Sequence, residues 1–150
     1  MDILPSAAAV LRVTPDRWVQ LAGGVPAELL VRAPAPGEWS ALECLQHLVD
    51  TERWVFPDRV RALLAGQDFP AFDPDSQGTK SAVVQSPVRL AAEFARLRRE
   101  GLADLATVTA DDLERRARHS ELGVVTLSEL LHEWAAHDLI LDLLNEPALG

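Results

Sequence analysis

Two short segments constrain this chain more than any others: Ser40-Ala-Leu-Glu43 and Thr126-Leu-Ser-Glu129. In each, a hydroxyl residue is followed three positions later by glutamate, and helical apolar periodicity begins at once. This is the capping box, in which side chain and backbone satisfy each other's orphan donors at a helix start. The second helix then runs from Ser40 to about Leu64, bent by Pro57, with Gly66 beyond its end. The fourth runs from Thr126 to Leu144, roughly 28 Å at 1.5 Å per residue. Its core stripe is Leu127, Leu130, Leu131, Trp134, Leu141 and Asn145.

Two more helices follow from the same periodicity. The first covers about residues 5 to 22, with Leu11, Trp18 and Leu21 on one side and Gly23-Gly24 at its end. Thr14-Pro15 inside it is either a kink or a second start. The third opens at Ser86-Pro87 and carries Leu90, Phe94, Leu97 and Leu102 inward. Between them lie a linker at 33–37, a long loop from Gln67 to Ser86, and a polar, irregular stretch from Thr109 to Gly123 with a turn at Asp111 to Glu114. No run alternates with period two. Four long helices in 150 residues define an all-α fold, a four-helix bundle occupying residues 1–150 as a single domain.

Composition narrows the partners. The chain is 48% hydrophobic and 25% charged, as globular proteins are, and its net charge is -9. That charge repels phosphate backbones and anionic lipids, and the thirteen arginines and Lys80 are scattered, so neither nucleic acid nor membrane is an expected partner. Cys44 is the only cysteine, which rules out an intramolecular disulfide and suits a reducing compartment. With no basic, apolar leader at the N-terminus, the expected location is cytoplasmic.

Bundles build metal sites from inward side chains on facing helices. At about 100° per residue, His137 lies ~60° from the centre of its stripe and reaches the core edge, whereas His132 lies ~160° away in solvent. His47 shares a row with Cys44, Thr51 and Trp54 on a helix apolar around most of its circumference. Glu133 stands one turn before His137. One imidazole from the second helix, with Glu133 and His137 from the fourth, makes a possible three-ligand set; hydrogen-bonded core histidines are the alternative. Glu52 and Asp138 fall on apolar faces and need partners, either an arginine or the histidines themselves. Cys44 and the four tryptophans read as packing, and His119 lies in an irregular stretch where helical geometry says nothing.

Several stretches resemble the DinB/YfiT-like family of four-helix-bundle metalloenzymes: Pro34-Ala-Pro-Gly-Glu-Trp-Ser40, His47-Leu-Val-Asp-Thr-Glu52, Phe69-Pro-Ala-Phe-Asp-Pro-Asp75, His119-Ser-Glu-Leu-Gly-Val-Val-Thr-Leu127 and Trp134-Ala-Ala-His-Asp-Leu139. The resemblance implies a bundle, often a homodimer, with zinc or nickel held by one histidine on the second helix and a His-x3-His pair on the fourth. It also implies a small-molecule thiol as partner, in transferase or isomerase chemistry. Carried onto this sequence, the ligands are His47 and His137, but the position that should complete the pair is Leu141. A thiol-dependent isomerase branch resembles a Glu-x3-His pair instead, a spacing that Glu133 and His137 have. Two functions therefore compete: a metal-dependent thiol S-transferase using His47, His137 and Glu133, or a metal-free descendant acting as a small-ligand-binding or dimerisation module.

Overall fold

Both capping boxes close in the computed structural model, which describes residues 1–69 and 86–144 and no side chain from 142 to 144. The Ser40 hydroxyl accepts from the Glu43 amide at 3.1 Å, and the Glu43 carboxylate accepts from the Ser40 amide at 3.2 Å. Thr126 and Glu129 do the same at the second box. The elements are α1 (Ile3–Gly24), α2 (Ala27–Val31), α3 (Ala41–Trp54), α4 (Phe56–Leu64), α5 (Pro87–Leu105), a 3-10 turn (Ala110–Glu114), β1 (Arg116–His119), β2 (Gly123–Thr126) and α6 (Leu127–Leu144). Asn145, Asp73, Asp75 and all but the first residue of the Phe69 to Asp75 stretch lie outside the described residues.

The expected second helix is two helices, α3 and α4, parted at Val55 with φ -120 and ψ -79. Pro57 has no amide hydrogen and its ring crowds the carbonyl four residues back, so the helix must restart with the proline in its first turn. Pro15 behaves differently, because α1 passes through it unbroken. The carbonyl that Pro15 leaves without its helical donor is that of Leu11, and it accepts from Arg98 Nη1 at 2.9 Å. A side chain from α5 thus repairs the gap that proline makes in α1.

The stretch expected to be irregular contains a hairpin. β1 and β2 pair antiparallel, Arg116 opposite Thr126 and His119 opposite Gly123, whose φ of 79 closes the three-residue turn. Only Ala117 and His119 point inward from β1, so four residues carried too little apolar alternation to announce a strand. The hairpin is tied to the end of α4: the Phe69 amide donates to the Arg118 carbonyl at 3.2 Å, and the Arg118 amide to Asp68 at 2.9 Å.

In the bundle, α1 packs on α5 and α6, and α3 on α5. The core has two apolar clusters, one around Leu11, Val60, Leu63, Leu131 and Trp134, the other around Trp18, Leu45, Leu48, Phe94 and Leu141. Arg98 joins them. Its guanidinium lies over the rings of Phe94 and Trp134, 4.8 and 5.5 Å from their centroids. It grips both oxygens of Asp138 at 2.7 and 2.8 Å, and Glu52 at 3.0 Å. Trp134 Nε1 donates to the other Glu52 oxygen at 3.1 Å. Glu52 and Asp138 are therefore partners of one arginine.

Gly101, one turn before the end of α5, makes room for this cluster. A Cβ there would stand 2.6 Å from Glu52 Oε2 and 3.1 Å from Pro57 Cγ. On an ordinary helix Gly→Ala adds ~1 kcal/mol of stability. Here the sign should reverse, with Gly101→Ala destabilising by about 1–3 kcal/mol through overpacking; thermal melting of the two proteins checks it.

Candidate metal centre

His47 on α3 and His137 on α6 face one another across the bundle, Nε2 to Nε2 at 3.0 Å. Both rings are half-buried. Trp39 meets His47 edge-on, centroids 5.1 Å apart, and Phe56 lies 5.4 Å from His137. The capping box at Ser40 starts α3 at the phase that turns position 47 inward, and the stripe of α6 carries 137 to the core edge, as the periodicity predicts. His132 is exposed, also as predicted.

Burial lowers the pKa of both imidazoles. For His137 it falls to about 4, first through desolvation, then through the charges of His47 and Arg98. Both rings are consequently neutral at physiological pH, the form in which a ring nitrogen offers a lone pair. The unfolded chain takes up a proton at His137 near pH 6.5, while the folded protein resists until about pH 4. Metal-free protein should therefore lose stability as pH falls from about 6.5 to about 4, and hold it above that range. Denaturant midpoints across this interval, compared with His137→Gln, measure the effect; equal slopes in both proteins refute it.

The pair fits two adjacent coordination positions. With metal–nitrogen bonds of about 2.0–2.1 Å, neighbouring imidazole nitrogens stand about 2.9–3.4 Å apart. The rest of a ligand set is less complete. Among the described residues no group of three or more His, Cys, Asp or Glu could hold an ion. Position 141, one turn beyond His137, is a leucine 5% exposed. His137 Nδ1 is buried with no hydrogen-bond partner, whereas ligating histidines usually pass that N–H to an acceptor. Asp138, the nearest carboxylate in sequence, is committed to Arg98.

Glu133 is not brought to the histidines. Its side chain is exposed and lines a separate cavity with Arg59 and His119. His119 is buried, 6% exposed, its Nδ1 accepting from the amides of Glu121 and Leu122 at 3.0 Å each. Beside the paired histidines lies a different cavity, about 410 Å3, lined by Pro34, Glu38, Trp39, Cys44 and Leu141. Cys44 is buried and disulfide-free. Arg98 and Arg59 belong to no motif that marks them in the sequence. Both sit at apolar-stripe positions, Arg98 with Phe94, Leu97 and Gly101, and Arg59 with Phe56, Val60 and Leu63. A charge at such a position is the signal that could have found them.

A helical bundle with two inward imidazoles meeting across α3 and α6 defines the class, and the chain belongs to the DinB superfamily, whose family model matches residues 11–140. Among solved structures it is similar to YfiT from Bacillus subtilis, described as a probable metal-dependent hydrolase with an unusual four-helix bundle topology. The two share 21% identity over 93% of this chain and 86% of that one, with a TM-score of 0.67. No curated protein matches the chain. Among the described residues, no helix is long and apolar enough to cross a membrane.

Proposed function

We propose that this protein is a metal-dependent enzyme in which His47 and His137 hold a zinc or nickel ion and a small-molecule thiol is the nucleophile of an S-transfer reaction. The observation that carries the reading is the 3.0 Å approach of the two Nε2 atoms, which suits two ligands of one ion. A bound divalent ion supplies Lewis acidity, stabilising a thiolate or hydroxide near neutral pH. The chain's own part is to keep both imidazoles unprotonated by burial and to wall the adjacent cavity with Trp39 and Leu141. The description of YfiT as a probable metal-dependent hydrolase supports a bound metal, with water as the nucleophile.

A second reading is favoured by one specific observation: Leu141 is buried where a third imidazole should stand. On that reading the two rings share a single hydrogen bond and the cavity beside them binds a small ligand without metal. Elemental analysis of untagged protein, incubated with zinc or nickel and desalted, separates the two. The expected result is about one ion per chain, lost in His47→Ala. Protein that emerges without metal sinks the enzyme reading.

A further inference from the structure

Arg59 is buried, 7% exposed, yet among the described residues no carboxylate lies within ion-pair distance of it. Its guanidinium rests over Phe69, 5.2 Å from the ring centroid, and its Nη2 stands 3.4 Å from His119 Nε2. The tautomer of that histidine follows from its other nitrogen. Nδ1 accepts two backbone amides, so it bears no proton, and the proton of the ring is on Nε2. Arginine has no acceptor to offer. Two buried donors thus converge, and among the described residues no acceptor lies between them to receive either hydrogen. Burial lowers the pKa of Arg59 and the nearby charge of Glu133 only partly offsets it. An uncompensated buried cation is costly, and a protein retains one where something else supplies the counter-charge.

Both donors line a cavity of about 180 Å3, whose other walls are Phe69, Leu122, Val125, Leu130, Glu129 and Glu133. It shares no lining residue with the cavity beside His47. We infer that this cavity binds a small monocarboxylate, its oxygens bridging Arg59 and His119 Nε2–H and its apolar body lying against Phe69, Val125 and Leu130. Charge selects the class. The site offers one guanidinium, and Glu133 and Glu129 lie at its wall, which suits a single negative charge and disfavours a dianionic phosphate. The apolar lining likewise favours a hydrocarbon body over a fully polar ion.

The test is calorimetric titration with isovalerate, with isoamylamine and inorganic phosphate as probes of the same body and of the wrong anion. Isovalerate should bind with 1:1 stoichiometry and shift the amide resonances of Glu121 and Leu122, which donate to His119. Arg59→Met should weaken it by roughly tenfold or more, the worth of a charge-assisted pair of hydrogen bonds. Glu133→Gln, on an exposed side chain, should tighten binding by about twofold to fivefold through loss of a repelling charge. If Arg59→Met proves unstable, the Glu133→Gln arm decides alone. Isoamylamine or phosphate binding more tightly than isovalerate overturns the proposal, as does an isovalerate affinity that Glu133→Gln leaves unchanged or weakens.

Discussion

Arg98→Leu should destabilise the protein by about 3–5 kcal/mol, the largest loss expected from any single substitution that leaves the backbone untouched. The side chain itself is replaceable in volume. What cannot be replaced is the counter-charge: Glu52 and Asp138 are 3% and 0% exposed, and both direct their oxygens at this guanidinium. Burial alone would lower the pKa of Arg98, but the charges and hydrogen bonds of Glu52 and Asp138 outweigh it and raise it. The arginine therefore stays charged at any pH at which the protein folds. Removing it also orphans the Leu11 carbonyl, which Pro15 has already deprived of its helical donor. Against a typical total of about 5–15 kcal/mol, such a loss leaves a protein that is folded marginally or not at all at 37 °C. Urea unfolding of the variant and of Arg98→Leu/Glu52→Leu/Asp138→Leu distinguishes the causes. The triple variant buries no charge and should recover much of the loss. If it is as unstable as the single variant, packing rather than uncompensated charge explains the effect.

The parts of this structure legible in the sequence were those governed by local rules. Capping boxes at Ser40 and Thr126 and the proline start at Ser86-Pro87 set helix origins to within a residue, because each cap's acceptor lies within three residues of the backbone donor that it satisfies. Periodicity then separated His137 from His132. What escaped depended on contacts distant in sequence. Neither the Arg98 cluster nor the Arg59–His119 contact has a local signature beyond a charged residue on an apolar stripe, and the stripe alone does not say which charge will be opposite. The hairpin escaped because its inward residues are Ala117 and His119. Pro57 marks the division of the second helix at Val55, but a proline alone predicts a bend as readily as a break. Glu133 shows the limit most clearly. Its spacing from His137 suits a ligand pair, yet rotation about the helix directs it to the cavity of Arg59 and His119, because 400° in four residues leaves it on the flank that faces the hairpin.

Leu141→His should raise affinity for zinc or nickel by roughly tenfold or more, since it places a third imidazole one turn from His137. The geometry for this already exists. Leu141 is buried and lines the cavity shared with Trp39, whose ring meets His47, so a side chain at this position points to the side of the bundle where the histidines converge. The substitution has an opposing cost, because exchanging a buried leucine for imidazole forfeits about 2–3 kcal/mol of apolar burial in metal-free protein. Parent and variant should thus respond to metal in opposite order. Without zinc, Leu141→His melts below the parent. With zinc at a hundred times its dissociation constant, ligand linkage returns about 2.7 kcal/mol to whichever protein binds it. The difference between the two melting curves should therefore narrow or invert as zinc is added. A chelator should restore the original order. If zinc moves both proteins equally, position 141 does not face the His47–His137 pair, and the third ligand of this centre must be sought on another element.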